Sequence, residues 1–357
     1  MLKTVLKTMF KTMFKTMLKN LMLVTSLLAV APLQAAVILQ YHHIGADTPA
    51  ITSTSIEAFE QHLEYLAGSG LEIVSLSEIV AHPERQTPQR VAITFDDAYD
   101  NIYLNAVPRL KARGWPFTIF VSTEYIDRKG FISWDQLRKI EAADGLIANH
   151  SHSHMHMLRK RTGETKPAWL KRLRKDIEKA QRLLDKNLAN PRPYFAYPYG
   201  EFDPDILKLI EDMGFTGFGQ QSGAVGPLSL LTALPRFPLS GAYEDLETFI
   251  TKVHTRALPI NVKPVSPLIT TNPPTLVLEF PEPANLPLDL LACYGPGGKT
   301  TLINVAPGVF EATNQTRLPI GRSRYNCTMP AGNAGDFYWF SQLWIQKNPD
   351  GSWYPEP

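Results

Sequence analysis

Val91-Ala92-Ile93-Thr94-Phe95-Asp96-Asp97 and, about fifty residues on, Leu146-Ile147-Ala148-Asn149-His150-Ser151-His152-Ser153-His154 decide how this chain reads. Each begins as a short apolar run with strand character and ends in residues that carry chemistry. Phe117 to Val121 is a similar run, and it follows a predicted helix from Ile102 to Arg113 that stops at Gly114 before Pro116. Further helices are predicted over Ser53 to Leu66, behind a Ser or Thr cap, and over Pro204 to Met213, ending at Gly214. Lys166 to Asn187 reads as a basic amphipathic helix with Leu170, Leu173, Ile177, Leu183 and Leu184 toward the core, its charges a solvated face. Strands alternating with helices predict an α/β layer or barrel, whose functional residues gather at the carboxyl ends of the strands.

The two strand ends are chemically complementary. Asp96 and Asp97 supply paired carboxylates, and His150 and His154 supply imidazoles four residues apart, which share a face if the segment makes a helical turn. Neutral imidazole nitrogen with one carboxylate oxygen suits a divalent ion such as Zn, Co, Ni or Fe and leaves a coordination position for water. The spare carboxylate can then take the proton of that water as it attacks a carbonyl. Taken alone, an Asp-Asp pair after a strand is a common turn or cap, and a His-rich pentad can be a solvated tract. Both motifs behind apolar runs, in this order, read as a hydrolase.

These residues resemble the polysaccharide deacetylases with the NodB homology domain, carbohydrate esterase family four. Thr94 to Asp97 is similar to the family's T-F-D-D motif, and His150, Ser151 and His154 to its H-S/T-x-x-H motif. The resemblance implies that Asp96 is the catalytic base and that Asp97, His150 and His154 hold the metal, with His152 and His156 outside the ligand set. Tyr194-Phe195-Ala196-Tyr197-Pro198-Tyr199-Gly200 resembles the F-A-Y-P-Y-G variant found in deacetylases of biofilm poly-N-acetylglucosamine, and it implies an oxyanion donor in the Tyr199 N–H. Many members carry in this motif an Arg that orients the base; the matching position here is Ala196, and no late Leu-x-His motif supplies an acid. By resemblance to the biofilm subgroup, His42 in Gln40-Tyr41-His42-His43 takes the acid role, with His43 its rival, since one residue along a strand reverses the face. Arg236, in Leu234-Pro235-Arg236-Phe237-Pro238, resembles an Arg that the subgroup places near the base. The resemblance covers about residues 37 to 255 and implies a distorted (β/α) barrel of about seven strands.

The first 36 residues read as a signal peptide: Lys3, Lys7, Lys11, Lys15 and Lys19 precede a short apolar core, Leu21 to Leu33, and small residues Ala35 and Ala36. That core is shorter than the about twenty residues that span a bilayer, so export to the periplasm or medium is expected, with membrane attachment only if the leader stays uncleaved. Near copies of Lys-Thr-Met-Phe from Lys3 to Leu18 carry no implication for the fold. Lys plus Arg number 36 against 34 Asp plus Glu, and the excess lies largely in the leader, so nothing in the charge points to nucleic acid. Residues 37–258 then form the deacetylase domain, 259–274 a Pro-rich linker, and 275–357 a small β-sandwich with strands at Thr275 to Phe280, Thr300 to Val305 and Phe337 to Ile345. Cys293 and Cys327 are the only cysteines, and in an exported chain a disulfide between them is expected. The aromatic tail, with Trp339, Trp344 and Trp353, reads as core packing before sugar stacking.

The expected activity is metal-dependent removal of N-acetyl groups from an N-acetylglucosamine polymer: poly-N-acetylglucosamine, a chitin-like chain or a peptidoglycan glycan. Two alternatives stand: an O-acetyl esterase such as a xylan esterase, which the same residues would serve, and a non-catalytic glycan-binding protein, in keeping with the missing Arg and acid motif. The oligomeric state is open.

Overall fold

The computed structural model describes residues 36–46, 48–85, 89–332 and 335–355. The leader expected over residues 1–36 lies outside them, except for Ala36, which opens the first strand. Seven strands run parallel: β1 (Ala36–Tyr41), β2 (Arg90–Phe95), β3 (Phe117–Val121), β4 (Leu146–Asn149), β5 (Arg192–Ala196), β6 (Thr216–Phe218) and β7 (Phe237–Pro238). Their order is β7-β1-β2-β3-β4-β5-β6, with the short strand Glu72–Ile73 also pairing β2. A parallel bridge between Phe218 and Leu234, two residues before Arg236, brings the ends of the sheet together, giving the distorted (β/α) barrel.

The strands are apolar nearly throughout because both faces are covered, as parallel sheets require. Side chains alternate between them. Val37, Leu39, Tyr41, Val91, Ile93 and Phe95 pack outward with Phe59, Leu63, Leu110 and Leu137. Ile38, Ala92, Phe120, Ala148, Ala196 and Phe218 meet in a second cluster on the inner face. This phase decides the site, because residues following the inner set, His42, Asp96 and His150, continue it beyond the strand ends.

Helix α1 (Ile56–Gly68) starts three residues later than the pattern predicts: Ser55 is its cap, accepting from the Ala58 N–H, while Ser53 and Thr54 pair with His43 and Ile44. Helices α2 (Leu76–Ala81), α3 (Val107–Ala112) and α4 (Trp134–Glu141) follow, α3 entered through a π turn over Ile102–Ala106. Helix α5 (Lys166–Asn187) buries Trp169, Leu173, Ile177, Ala180 and Leu184, a stripe at steps of three and four, leaving Leu170 and Leu183 half-buried at its margin. Helices α6 (Pro204–Asp212) and α7 (Leu246–Val253) complete the shell.

Beyond the barrel, strands β8 (Thr275–Glu279), β11 (Val309–Thr313) and β10 (Thr301–Ala306) make one sheet. Strands β9 (Ala292–Gly295), β12 (Gly321–Pro330) and β13 (Phe337–Gln346) make most of the other. Leu276, Leu278, Phe310 and Ala312 of the first face Cys293, Tyr325, Cys327, Met329, Tyr338 and Trp344 of the second in one core. The disulfide Cys293–Cys327 joins directly opposed positions of β9 and β12, so it ties neighbours within one sheet. The Pro-rich stretch 259–274 follows this module closely: Ile260 is buried in its core, and Pro267 and Ile269 exchange backbone hydrogen bonds with Ile345. Arg256–Ala257 pairs with Tyr338–Trp339, and Trp339 meets Phe237 edge to face with centroids 5.6 Å apart. The module is therefore packed on the barrel at β7.

Candidate active site

Asp96 follows β2 and is fully buried. Arg236 spans its carboxylate, Nη1 to Oδ1 at 2.7 Å and Nη2 to Oδ2 at 2.8 Å, while its Nε donates to the Gly219 carbonyl at 2.8 Å. The Gln40 amide adds a third donor, 2.6 Å from Oδ2. Burial pushes the Asp96 carboxyl up, but the Arg236 guanidinium, with His150 and His42 beyond it, outweighs that and holds it below the ordinary carboxylate range. An Arg thus grips Asp96 although position 196 is Ala, and it reaches the carboxylate from the residue just before β7.

Asp97 turns the opposite way because the backbone leaves the strand in the left-handed region, φ 69° at Asp97 and 61° at Ala98. Its Oδ1 lies 3.3 Å from His150 Nε2 and 3.1 Å from His154 Nε2, and one donor atom from each of the three residues falls within 4.8 Å of the others. The two His converge without a helical turn between them. Ser151 and His154 both have positive φ, 69° and 52°, and the loop is held by the Asn149 carboxamide oxygen on the Ser151 N–H and by Asp176 on the His152 and Ser153 N–H groups. His150 presents Nε2 inward because Nδ1 is taken by the Ala196 carbonyl at 2.8 Å.

The residues fit a divalent ion. Among the described residues, Asp97 Oδ1 and His150 Nε2 are buried atoms with no hydrogen-bond partner, a costly condition that a cation between them relieves. Two imidazoles and a carboxylate are also a common catalytic donor set.

The two candidate acids separate. His42 Nε2 lies 4.0 Å from Asp96 Oδ2, on the inner face, whereas His43 stacks on Tyr99 at 3.6 Å and accepts at Nδ1 from the Asn101 amide N–H, 3.0 Å away. Burial lowers His42, and the carboxylates of Asp96 and Asp97 oppose that shift. Tyr199 sits across the site, its ring centroid 4.6 Å from that of His154, with φ 58° and ψ 9°. His152 points away to the Thr123 hydroxyl, while His156 lies flat on the Tyr199 ring at 3.8 Å.

Gln40, Tyr99 and Glu201 were not anticipated. Gln40 had a signal, an amide inside the apolar strand Ala36–Tyr41. Tyr99 borders Asp97, and burial together with that carboxylate raises its hydroxyl, keeping it a donor. Glu201, fully buried directly after the Tyr-Gly turn, had none beyond its position.

A family model described as polysaccharide deacetylase matches residues 84–218, which excludes His42 and Arg236. A poly-beta-1,6-N-acetyl-D-glucosamine N-deacetylase of Staphylococcus aureus is 32% identical over 204 residues, 54% of this chain and 70% of that protein. Among solved structures, IcaB from Ammonifex degensii aligns with a TM-score of 0.53 at 25% identity, covering 59% of this chain and 94% of its own. A Streptococcus pyogenes deacetylase, PplD in complex with acetate, aligns with a TM-score of 0.55 at 20% identity over 62% of this chain and 99% of its own, a likeness of fold.

Proposed function

This chain belongs to the polysaccharide deacetylase family and is a polysaccharide N-deacetylase, and we propose that its substrate is an N-acetylglucosamine polymer of the poly-N-acetylglucosamine kind, met after export in the periplasm or medium. The observation that carries this reading is the pairing of two differently held carboxylates. Asp97 faces His150 and His154, and Asp96, one residue away, is gripped by Arg236.

Asp97, His150 and His154 would hold the ion, for which Zn is our choice, with Co, Ni and Fe suited to the same donors. When bound, such an ion polarises the acetamide carbonyl and acidifies water. Asp96, ionised and oriented by Arg236 and Gln40, takes the proton of the attacking water. The negative charge that develops on the carbonyl oxygen is met by the Tyr199 N–H, whose left-handed backbone fixes its direction before substrate arrives. His42, on the inner face beside Asp96, protonates the departing amine. The C–N bond breaks, releasing acetate and a glucosamine unit. Arg236 on Asp96 favours catalysis over a binding-only protein, since it restores what Ala196 lacks.

Acetate release from poly-N-acetylglucosamine, chitin oligomers and acetylated xylan, with and without chelator, tests the reading. Chelator-sensitive release from the first two supports it; release from xylan alone makes the protein an O-acetyl esterase; release from none removes the enzyme.

A further inference from the structure

Tyr199 is held from outside the barrel. Arg322, on β12 of the C-terminal module, donates through Nη1 to the Tyr199 carbonyl, and its Nη2 lies 2.7 Å from Glu201 Oε1. The guanidinium carbon is 5.4 Å from the Tyr199 ring centroid, and Nε donates to the Tyr354 hydroxyl at 3.0 Å. Glu201 is fully buried and also meets His156 Nδ1 at 2.9 Å and the Leu158 N–H at 3.3 Å. His156, held on the same Glu201 oxygen, stacks on the Tyr199 ring at 3.8 Å, nearly parallel at 12°.

This grip falls on a costly piece of backbone. A non-glycine residue in the left-handed region costs roughly 1–2 kcal/mol and persists only where its surroundings over-determine it. Gly200 follows at φ 66°, and a Cβ there would come within 2.8 Å of Gln220 Cβ. The Tyr199 carbonyl and the Tyr199 N–H belong to two planar peptides that meet at one Cα. Fixing the carbonyl and the ring therefore fixes the direction of the N–H.

We infer that Arg322 is a positioning residue for the deacetylation step, and that the β-module, through Arg322 and Glu201, completes the oxyanion turn of the barrel. The inference rests on the deacetylase reading for the role of Tyr199. It gives the module a part in turnover distinct from attachment to glycan, and the ionic Arg322–Glu201 contact explains why a carboxylate is buried directly behind the turn: it anchors the guanidinium that holds the carbonyl.

The test compares full-length, metal-loaded wild type with Arg322→Ala, Arg322→Lys and Glu201→Gln, on whichever acetylated polymer the wild type turns over. Arg322→Ala is expected to lower kcat about tenfold or more, as small misplacements do, with KM within about twofold and metal content unchanged. Added methylguanidinium should restore part of the lost kcat. Arg322→Lys, able to reach the carbonyl but not to span both partners, should fall between. Glu201→Gln should lower kcat in the same direction, with the double variant no worse than the worse single. Unchanged kcat, a loss confined to KM on long polymer, or a loss that comes with depleted metal and no chemical rescue overturns the inference. Should Arg322→Ala not fold, Arg322→Lys and Glu201→Gln make the same comparison. A wild type active only on acetate esters removes the N-deacetylase reading while leaving Arg322 testable on the ester; one active on neither overturns both.

Discussion

Arg236 and Asp96, 140 residues apart in the chain, meet fork to fork with neither side chain exposed to solvent. Two parallel charge-assisted bonds fix the carboxylate in rotation as well as in place, which a lysine ammonium cannot do. Arg236→Lys is therefore expected to lower kcat about 100-fold with metal content unchanged, a loss of alignment. Arg236→Met, which leaves a buried carboxylate without its counter-charge, should also cost about 3–5 kcal/mol of stability, read by denaturant unfolding.

The adjacent carboxylates should separate cleanly. Asp96→Asn is expected to retain metal and lose about 10²–10⁴-fold in acetate release, the usual contribution of a general base. His154→Ala should lose metal along with activity, measured by elemental analysis of the purified protein. Activity retained in both variants would reject the assigned roles.

Acid catalysis by His42 predicts a dependence on the leaving group. His42→Ala should slow acetamide cleavage about 100-fold or more, while an activated aryl acetate, whose leaving group needs no proton, is affected far less. His43→Ala, which removes a ring stacked on Tyr99, should show no such difference between substrates.

Away from the site, His62 makes stability depend on pH. It is buried between the Tyr41 hydroxyl, 3.0 Å from Nδ1, and the Glu244 carbonyl, 2.8 Å from Nε2. Burial, helped by the Lys252 charge, takes it down to about 4. Below its ordinary value of 6.5 the unfolded chain takes up a proton that the native state refuses. Stability is therefore full above about pH 6.5 and falls by roughly 3 kcal/mol as pH drops toward 4. Unfolding free energies of His62→Gln against wild type across this window should show a shallower fall in the variant.

Reduction should act on the module. The Cys293–Cys327 bridge closes a loop of sequence separation 34, for which chain entropy gives about 4 kcal/mol. Cys293→Ser with Cys327→Ser is expected to lower stability by about 2–4 kcal/mol in chemical unfolding.

Asp96 and His150 were legible because each follows directly on an apolar strand, and Asp97 and His154 because they lie a few residues beyond those same ends, where parallel α/β folds concentrate their chemistry. Arg236 was reachable only through resemblance, since nothing local marks a side chain whose partner lies 140 residues earlier. Glu201 and Arg322 were invisible for the same reason: one looks like an exposed loop acid and the other like a surface base on a polar strand. The i, i+4 spacing of His150 and His154 is compatible with a helical turn and carries no sign of the left-handed Ser151 and His154 that bring the two rings together instead. In β12, burial alternates strictly along Gly321–Pro330, yet the inward positions include Gly321 and Ser323, too small or polar to stand out as a strand core.

Strand β1 lies between β2 and β7, so the earliest element of the barrel is enclosed by its last. A polypeptide emerging from its N-terminal end cannot seal the sheet until Arg236 and Phe237 arrive, and until then Asp96 has no guanidinium partner. Competence is thus withheld from every translation product that ends before Arg236, and the enzyme gains its charged centre at the moment its barrel closes.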